Sequence, residues 1–236
     1  MIKPTVFFFV SPTARIGTTI LARVVADYFI LHQKPFHGFD TNINEAELAQ
    51  RFPKFFTKID LSHIKGQMEL LDSILDQVDQ VALVDVWSPV FPQLISLLIE
   101  TQFIYEAEQR GLDVVFMLGI NDINSASSAI NKIRKVSSEA YIVGIINEGV
   151  VSLSHEPSEL MDILFIDQTF EMGSLDHVTL RIINADQFSL SRFLITPPSG
   201  MSIVVRAQLK QWLLRLFTQL QSFELRRSLI HNDFLK

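Results

Sequence analysis

The sequence predicts an α/β fold of three layers, with a mostly parallel central sheet and helices on both faces. Three observations predict it. Short apolar runs, among them VFFFV at 6–10, VALVDV at 81–86 and VVFML at 114–118, alternate with longer segments of helical periodicity. These runs lack polar alternation, so both faces of each strand are expected to be buried. The runs also end in small polar clusters, including DTN at 40–42 and NEG at 147–149. In a parallel sheet with right-handed crossovers, such clusters collect along one edge, where ligands bind near a switch in strand order.

Composition bounds the rest. A chain of 236 residues with 48% hydrophobic content carries enough apolar surface for a sizeable core, and it is read as one domain over 1–236. Nineteen phenylalanines against three tyrosines place most rings inside, because phenylalanine has no polar handle. The absence of cysteine excludes disulfides and thiolate chemistry and fits a reducing compartment. A formal charge of −6 disfavours direct DNA binding by the whole surface. No apolar run is long enough to span a bilayer, and the N-terminal apolar run is read as a first strand rather than an export signal. The expected location is cytoplasmic, with a peripheral position at the inner membrane face as the alternative.

Taken in order, the first strand is 5–10 and the first helix runs from about 17 to 32, closed by Pro35. A short second strand at 36–39 ends in Asp40, Thr41 and Asn42. Residues 45–50 read as a helical turn, and Ile59, Leu61 and Ile64 as a short extended piece. The spacing of Met68, Leu71, Ile74, Leu75 and Val78 predicts a helix with those residues on its apolar stripe. A third strand at 81–86 carries Asp85 and leads to a long helix over 92–110, stopped by Gly111. A fourth strand at 114–118, a helix at 125–138 and a fifth strand at 141–146 follow, with Asp122 placed to cap that helix. A short helix at 157–161 is expected to precede a sixth strand at 163–166 and a seventh at 178–183. The final helix, 201–229, has a broad apolar stripe through Val205, Leu209, Trp212, Leu213, Leu216, Leu220 and Phe223, with Leu214 and Phe217 widening it. Packing against the sheet is the leading expectation for that stripe. A dimer interface, or membrane contact assisted by its basic residues, is the alternative.

The stretch on which function turns is SPTARIGTT, residues 11–19, between the first strand and the first helix. Helix-start amides at such a junction bind phosphate. The general phosphate loop GxxxxGK[ST] is matched nowhere. SPTARIGTT nevertheless resembles the deviant loop of the ParA/MinD class of P-loop ATPases, which reads KGGxGK[ST][ST]. By position, Thr13 stands for the early lysine, Ala14 and Arg15 for two glycines, and Thr18 for the phosphate-binding lysine. Gly17 keeps the later glycine, and Thr19 keeps the hydroxyl that would meet magnesium.

The likeness continues along the chain. GFDTN at 38–42 is similar to the segment bearing the class's catalytic or switch aspartate, here Asp40, although Asn42 replaces a second acid. VALVDV is similar to the strand bearing the magnesium-associated aspartate, here Asp85, but WSPVFP lacks the glycine that follows. IINEG at 145–149 resembles the late strand whose asparagine reads adenine, here Asn147. FDTN and the INEAELAQRF that follows look nearest to the TraL/StbB proteins of conjugation and plasmid stability. The resemblance covers about residues 5–150.

It implies ATP or ADP with Mg2+ as cofactors, or none if the loop has lost them. It implies Thr13, Gly17, Thr18, Thr19 and Asn147 as nucleotide contacts, Thr19 and Asp85 at the metal, and Asp40 and Arg15 in catalysis. It also implies a homodimer and a protein partner. Each position keeps a plainer reading: a capped helix start at 17–19, a strand-end turn at Asp40, a loop hydrogen-bond partner at Asp85.

The departures matter chemically. Two lysines neutralise γ-phosphate charge in that class, one from within the subunit and one from its dimer partner, and threonine carries no charge with which to do so. Arg15 is the candidate substitute, with a different approach geometry. Three functions are therefore expected to compete. The first is a degenerate ParA/MinD-like protein working by association with weak or no hydrolysis. The second is an active magnesium-dependent ATPase using Arg15. The third is an unrelated small-molecule enzyme with its site on the same sheet edge.

Overall fold

The computed structural model describes residues 4–151, 155–186 and 188–233, with side chains described to residue 229. The chain forms β1 (Thr5–Val10), α1 (Thr18–Leu31), β2 (Phe36–Asp40), α2 (Glu47–Arg51), β3 (Phe56–Lys58), α3 (Ile64–Asp76) and β4 (Val81–Asp85). There follow α4 (Phe91–Glu100), α5 (Phe103–Gln109), β5 (Asp113–Gly119), α6 (Ile123–Val136), β6 (Tyr141–Asn147), α7 (Pro157–Leu164) and β7 (Gln168–Met172). The last three helices are α8 (His177–Ile183), α9 (Leu190–Ile195) and α10 (Ile203–Asp233).

The strands make one parallel sheet in the order β3-β2-β4-β1-β5-β6-β7. β1 is central, and its alternation divides the core. Val6, Phe8 and Val10 pack into the layer that holds α3 to α7, whereas Phe7 and Phe9 pack into the layer that holds α1, α8, α9 and α10. The expected three-layer architecture is therefore what the chain adopts. After β1 the chain crosses by α1 on one face, and after the adjacent β4 it crosses by α4 and α5 on the other. The β1/β4 boundary is thus the switch point, and the loop of residues 11–17 stands over it.

Several expectations are corrected. The predicted strand at 178–183 is α8: the Asp176 carboxylate accepts from Val178 N at 2.8 Å and Thr179 N at 3.0 Å, and this cap outweighs the β-branched content. The predicted strand at 163–166 falls one element early. Ile163 belongs to α7, which starts at a Glu156/Glu159 capping box, and the strand is QTFEM at 168–172. QTFEM buries alternate residues, as an edge strand does, so it shows no apolar run. The helix predicted over 92–110 is two. Thr101 Oγ1 bonds back to Leu97 O at 2.8 Å, and Gln102 takes a left-handed φ of 50°, which turns Phe103 and Ile104 into the core.

The extended piece expected around Ile59–Leu61 and Ile64 lies instead at Phe56–Lys58, paired to Gly38–Asp40, and Ile64 opens α3. In α3, Met68 is exposed and the buried stripe is Gly66, Leu70, Leu71 and Ile74, while Val78 lies beyond the helix end and is exposed. Helix α9, not expected from the sequence, starts at Ser189, whose hydroxyl accepts from Arg192 N at 3.1 Å.

Helix α10 lies against the sheet. Leu209, Trp212, Leu213, Leu216, Phe217, Leu220 and Phe223 are buried in the second core layer, while Leu214 is 48% exposed. Trp212 Nε1 donates to Gly173 O at 2.7 Å. Gln219 pairs through its amide with both the N–H and the C=O of Glu171 on the sheet edge, at 2.8 and 2.9 Å. The helix thus covers an edge strand that would otherwise be open. Among the described residues, no helix is long and apolar enough to cross a membrane. Leu216→Ala is expected to cost about 2–5 kcal/mol in urea denaturation, whereas Leu214→Ala should stay within about 0.5 kcal/mol of the parent. Equal costs would contradict this seating of the helix.

Candidate functional site

The site is built from the ends of β1, β2, β4 and β6. Its loop leaves β1 at Val10 and enters α1 at Thr18. Ser11 Oγ bonds within the loop, donating to Thr13 O at 2.7 Å and accepting from Thr13 N at 3.2 Å. Two residues take left-handed backbone, Arg15 at φ 66° and Gly17 at φ 99°. Glycine adopts this region freely, but an L side chain costs roughly 1–2 kcal/mol there. The loop therefore keeps glycine-like torsions at position 15 although the residue is arginine. Ala14 and Arg15 are the exposed part of the loop, and Ile16 is buried beneath it.

Gly17 answers a close approach. A Cβ there would collide with the Asn147 amide. That amide, at the end of β6, donates to Ile16 O at 2.9 Å, and its oxygen accepts from Gly149 N at 3.1 Å. Asn147 is 8% exposed. Both ends of its side chain are thus committed to holding the loop and the turn after β6. Gly119, at the end of β5, gives the loop its other wall: a Cβ there would stand 3.0 Å from Ile16 and Thr18 and 3.2 Å from Ser11.

Thr18 starts α1 as a buried residue, and Thr19 Oγ1 donates to Asp85 Oδ1 at 3.2 Å. Strand register sets Asp85 of β4 directly beside Asp40 of β2, so the two side chains project on the same face. Both carboxylates are buried. Asp40 spends its oxygens on backbone: Oδ1 accepts from Asn42 N at 3.0 Å, and Oδ2 from Leu48 N at 2.9 Å and Ala49 N at 3.3 Å, at the start of α2. Thr41 stitches the same edge, with its N–H and hydroxyl both bonding Asp85 O at 3.1 Å and its Oγ1 accepting from Trp87 N at 2.8 Å.

The electrostatics follow. Burial raises Asp40 above the usual carboxylate range, against the pull of its three amide partners. Burial also pushes Asp85 up to about 8, with the neighbouring Asp40 charge adding to it and the Thr19 hydroxyl opposing it. Of the two, Asp40, with three N–H groups to support a charge, is the better placed to ionise, and Asp85, with one hydroxyl, to keep its proton. Thr19 and Asp85 are hard oxygen donors of the kind Mg2+ takes. The segment that would meet a phosphate chain, residues 11–19, brings one cation, Arg15, on its exposed side.

The expected residues are thus partly assembled. Thr18, Thr19, Gly17, Asp85, Asp40 and Asn147 stand around one strand edge, while Thr13 sits in the Ser11 turn and Arg15 faces outward. Thr41 and Gly119 were not singled out from sequence. Their only signal there was adjacency to strand ends. A cleft of about 250 Å3 opens beside Asn147, between Glu148, Ser174, Asp176, Trp212 and Arg215.

This arrangement is a three-layer α/β fold of P-loop NTPase-like architecture. No protein-family model and no curated protein matches the chain. Solved structures do. A protein from Borrelia burgdorferi B31, described as a plasmid partition protein and bound to AMPPNP, is 12% identical. Its match covers 92% of this chain and 99% of that one, with a TM-score of 0.54. A ParA family ATPase from Chlorobium tepidum TLS matches at 13% identity, covering 89% and 98% with a TM-score of 0.49. A nucleotide-binding protein from Archaeoglobus fulgidus, in complex with ADP, matches at 12% identity, covering 77% and 86% with a TM-score of 0.49. At these identities the likeness is one of fold.

The pair's proton gives a signed pH dependence. A carboxyl raised from 3.8 to about 8 makes the native state hold more protons than the unfolded state between those values. Stability is therefore lost as pH rises through that window. Asp85→Asn keeps an acceptor for Thr19 and removes the charge. Its stability advantage over the parent should grow by about 1–4 kcal/mol between pH 5 and pH 8 in chemical denaturation. A constant difference would contradict the assignment.

Proposed function

We propose that the chain is a degenerate ParA/MinD-like protein that acts by association, as a dimer and with a protein partner, and hydrolyses ATP weakly or not at all. The observation that carries this reading is the phosphate loop. Its torsions and glycine are retained at Gly17, but Thr13 and Thr18 stand where the class places lysine, and the polar groups around it bond one another. Such a loop offers helix-start amides to an anion without the cation that stabilises charge on a transferring phosphoryl group. Nucleotide, where it binds, then acts as a weak switch. The partition role described for the Borrelia protein supplies a direction for the process: plasmid maintenance, transfer or cellular positioning.

The partner reading is chosen over membrane contact because the apolar stripe of α10 is buried against the sheet. Direct DNA binding is not favoured at a formal charge of −6. The absence of cysteine agrees with a cytoplasmic, reducing setting.

Calorimetry with ATP and ADP, with and without Mg2+, followed by a turnover assay, tests the proposal. Weak or absent binding and no turnover are expected for the parent chain. Thr18→Lys should tighten ATP binding about 10- to 100-fold, the effect of one charge-assisted hydrogen bond to phosphate. Robust turnover that Arg15→Ala abolishes would overturn it in favour of a working ATPase.

A further inference from the structure

The α8–α9 corner is held by an arginine clamp of unusual depth. Arg23, on the second turn of α1, is 1% exposed, and its guanidinium donates to Ile183 O at 2.5 Å and Phe188 O at 2.6 Å. Arg51, the last residue of α2, donates to Ala185 O at 3.0 Å, Asp186 O at 3.4 Å and Phe188 O at 3.1 Å. Two cations from two elements thus converge on the carbonyls at and just after the end of α8, where a helix leaves its last acceptors unpaired. Asp27, one turn beyond Arg23 and fully buried, accepts from Ser191 N at 2.9 Å and Ser191 Oγ at 2.6 Å, which fixes the start of α9.

Both elements that carry the clamp begin at the strand-end site. α1 starts at Thr18 in the loop, and the α2 amides of Leu48 and Ala49 are capped by Asp40. Helix α2 has five residues, less than two turns, and its Asp40 cap and Arg51 clamp lie at opposite ends. So short a helix has little stability of its own. It is ordered from both sides or released from both.

We infer that the line from Asp40 through α2 and Arg51 to residues 184–195 is an interlock, by which the state of the strand-end site sets the seating of the α8–α9 corner. Loss of the Asp40 cap frees α2, withdraws Arg51 from three carbonyls and leaves Arg23 alone on the corner. By linkage the effect is reciprocal, so loosening the corner loosens α2. The coupling needs no nucleotide, so it stands or falls apart from the functional proposal.

Amide hydrogen exchange on the full chain tests it, read by mass spectrometry for the parent, Asp40→Asn, Arg51→Lys and the double variant. Leu98→Ala, in α4 on the opposite face, serves as the control for general destabilisation. Asn cannot accept on both sides as the carboxylate does, and lysine cannot span three carbonyls. Asp40→Asn is expected to raise exchange about tenfold both in 47–51 and in 184–195, with 91–100 at the parent rate. The double variant should loosen 184–195 no further than the larger single effect. Loosening of 47–51 alone, additive loosening, or the uniform loosening seen in the control would overturn the interlock. Should Asp40→Asn not fold, Arg51→Lys decides: exchange rising in both 184–195 and 47–51 supports the interlock, and exchange rising in 184–195 alone overturns it.

Discussion

Two buried carboxylates side by side are the constraint around which this molecule is arranged. Asp40 and Asp85 are direct register partners on adjacent strands, so the sheet sets the spacing of their backbones. Two charges at that spacing in a desolvated edge are unfavourable together. The chain resolves the conflict by unequal support. Asp40 receives three backbone N–H groups, and Asp85 receives one hydroxyl. That imbalance favours ionisation at Asp40 over Asp85, and the Asp40 bonds to Leu48 N and Ala49 N cap α2.

The surrounding polar groups follow the same logic of internal satisfaction. Asn147 closes on the Ile16 carbonyl, Thr41 ties the ends of β2 and β4 to Trp87, and Ser11 turns the loop back on itself. A phosphate site normally holds such groups in readiness for a ligand. Here most are engaged with one another, and the loop's one cation is turned outward. The fold has its switch-point geometry, and residues 11–19 carry one cation, the exposed Arg15.

The parts visible in the sequence were those set by local pattern. Fully buried parallel strands are apolar runs, so β1, β4, β5 and β6 and the strand-end residues Asp40, Asp85 and Asn147 were legible. The misses have physical causes. QTFEM is half-buried and alternates, so it lacks the run that marks a central strand. HVTLRII looks like a strand by composition, but Asp176, immediately before its first residue, caps Val178 N and Thr179 N and decides for helix. The site's wiring was not legible at all. That Asp40 caps α2, that Asn147 grips the loop, and that Arg23 and Arg51 meet at Phe188 O depend on contacts across as many as 165 positions of sequence.

The most direct measurement of the central claim is the titration of the Asp85 side-chain carboxyl by carbon NMR, with and without Mg2+ and ATP. The account predicts a midpoint near 8, far above the ordinary carboxylate, and little change on adding nucleotide and magnesium. A midpoint in the ordinary range, or a collapse of the midpoint to that range when Mg2+ and ATP are added, would contradict it and point to a working metal and phosphate site.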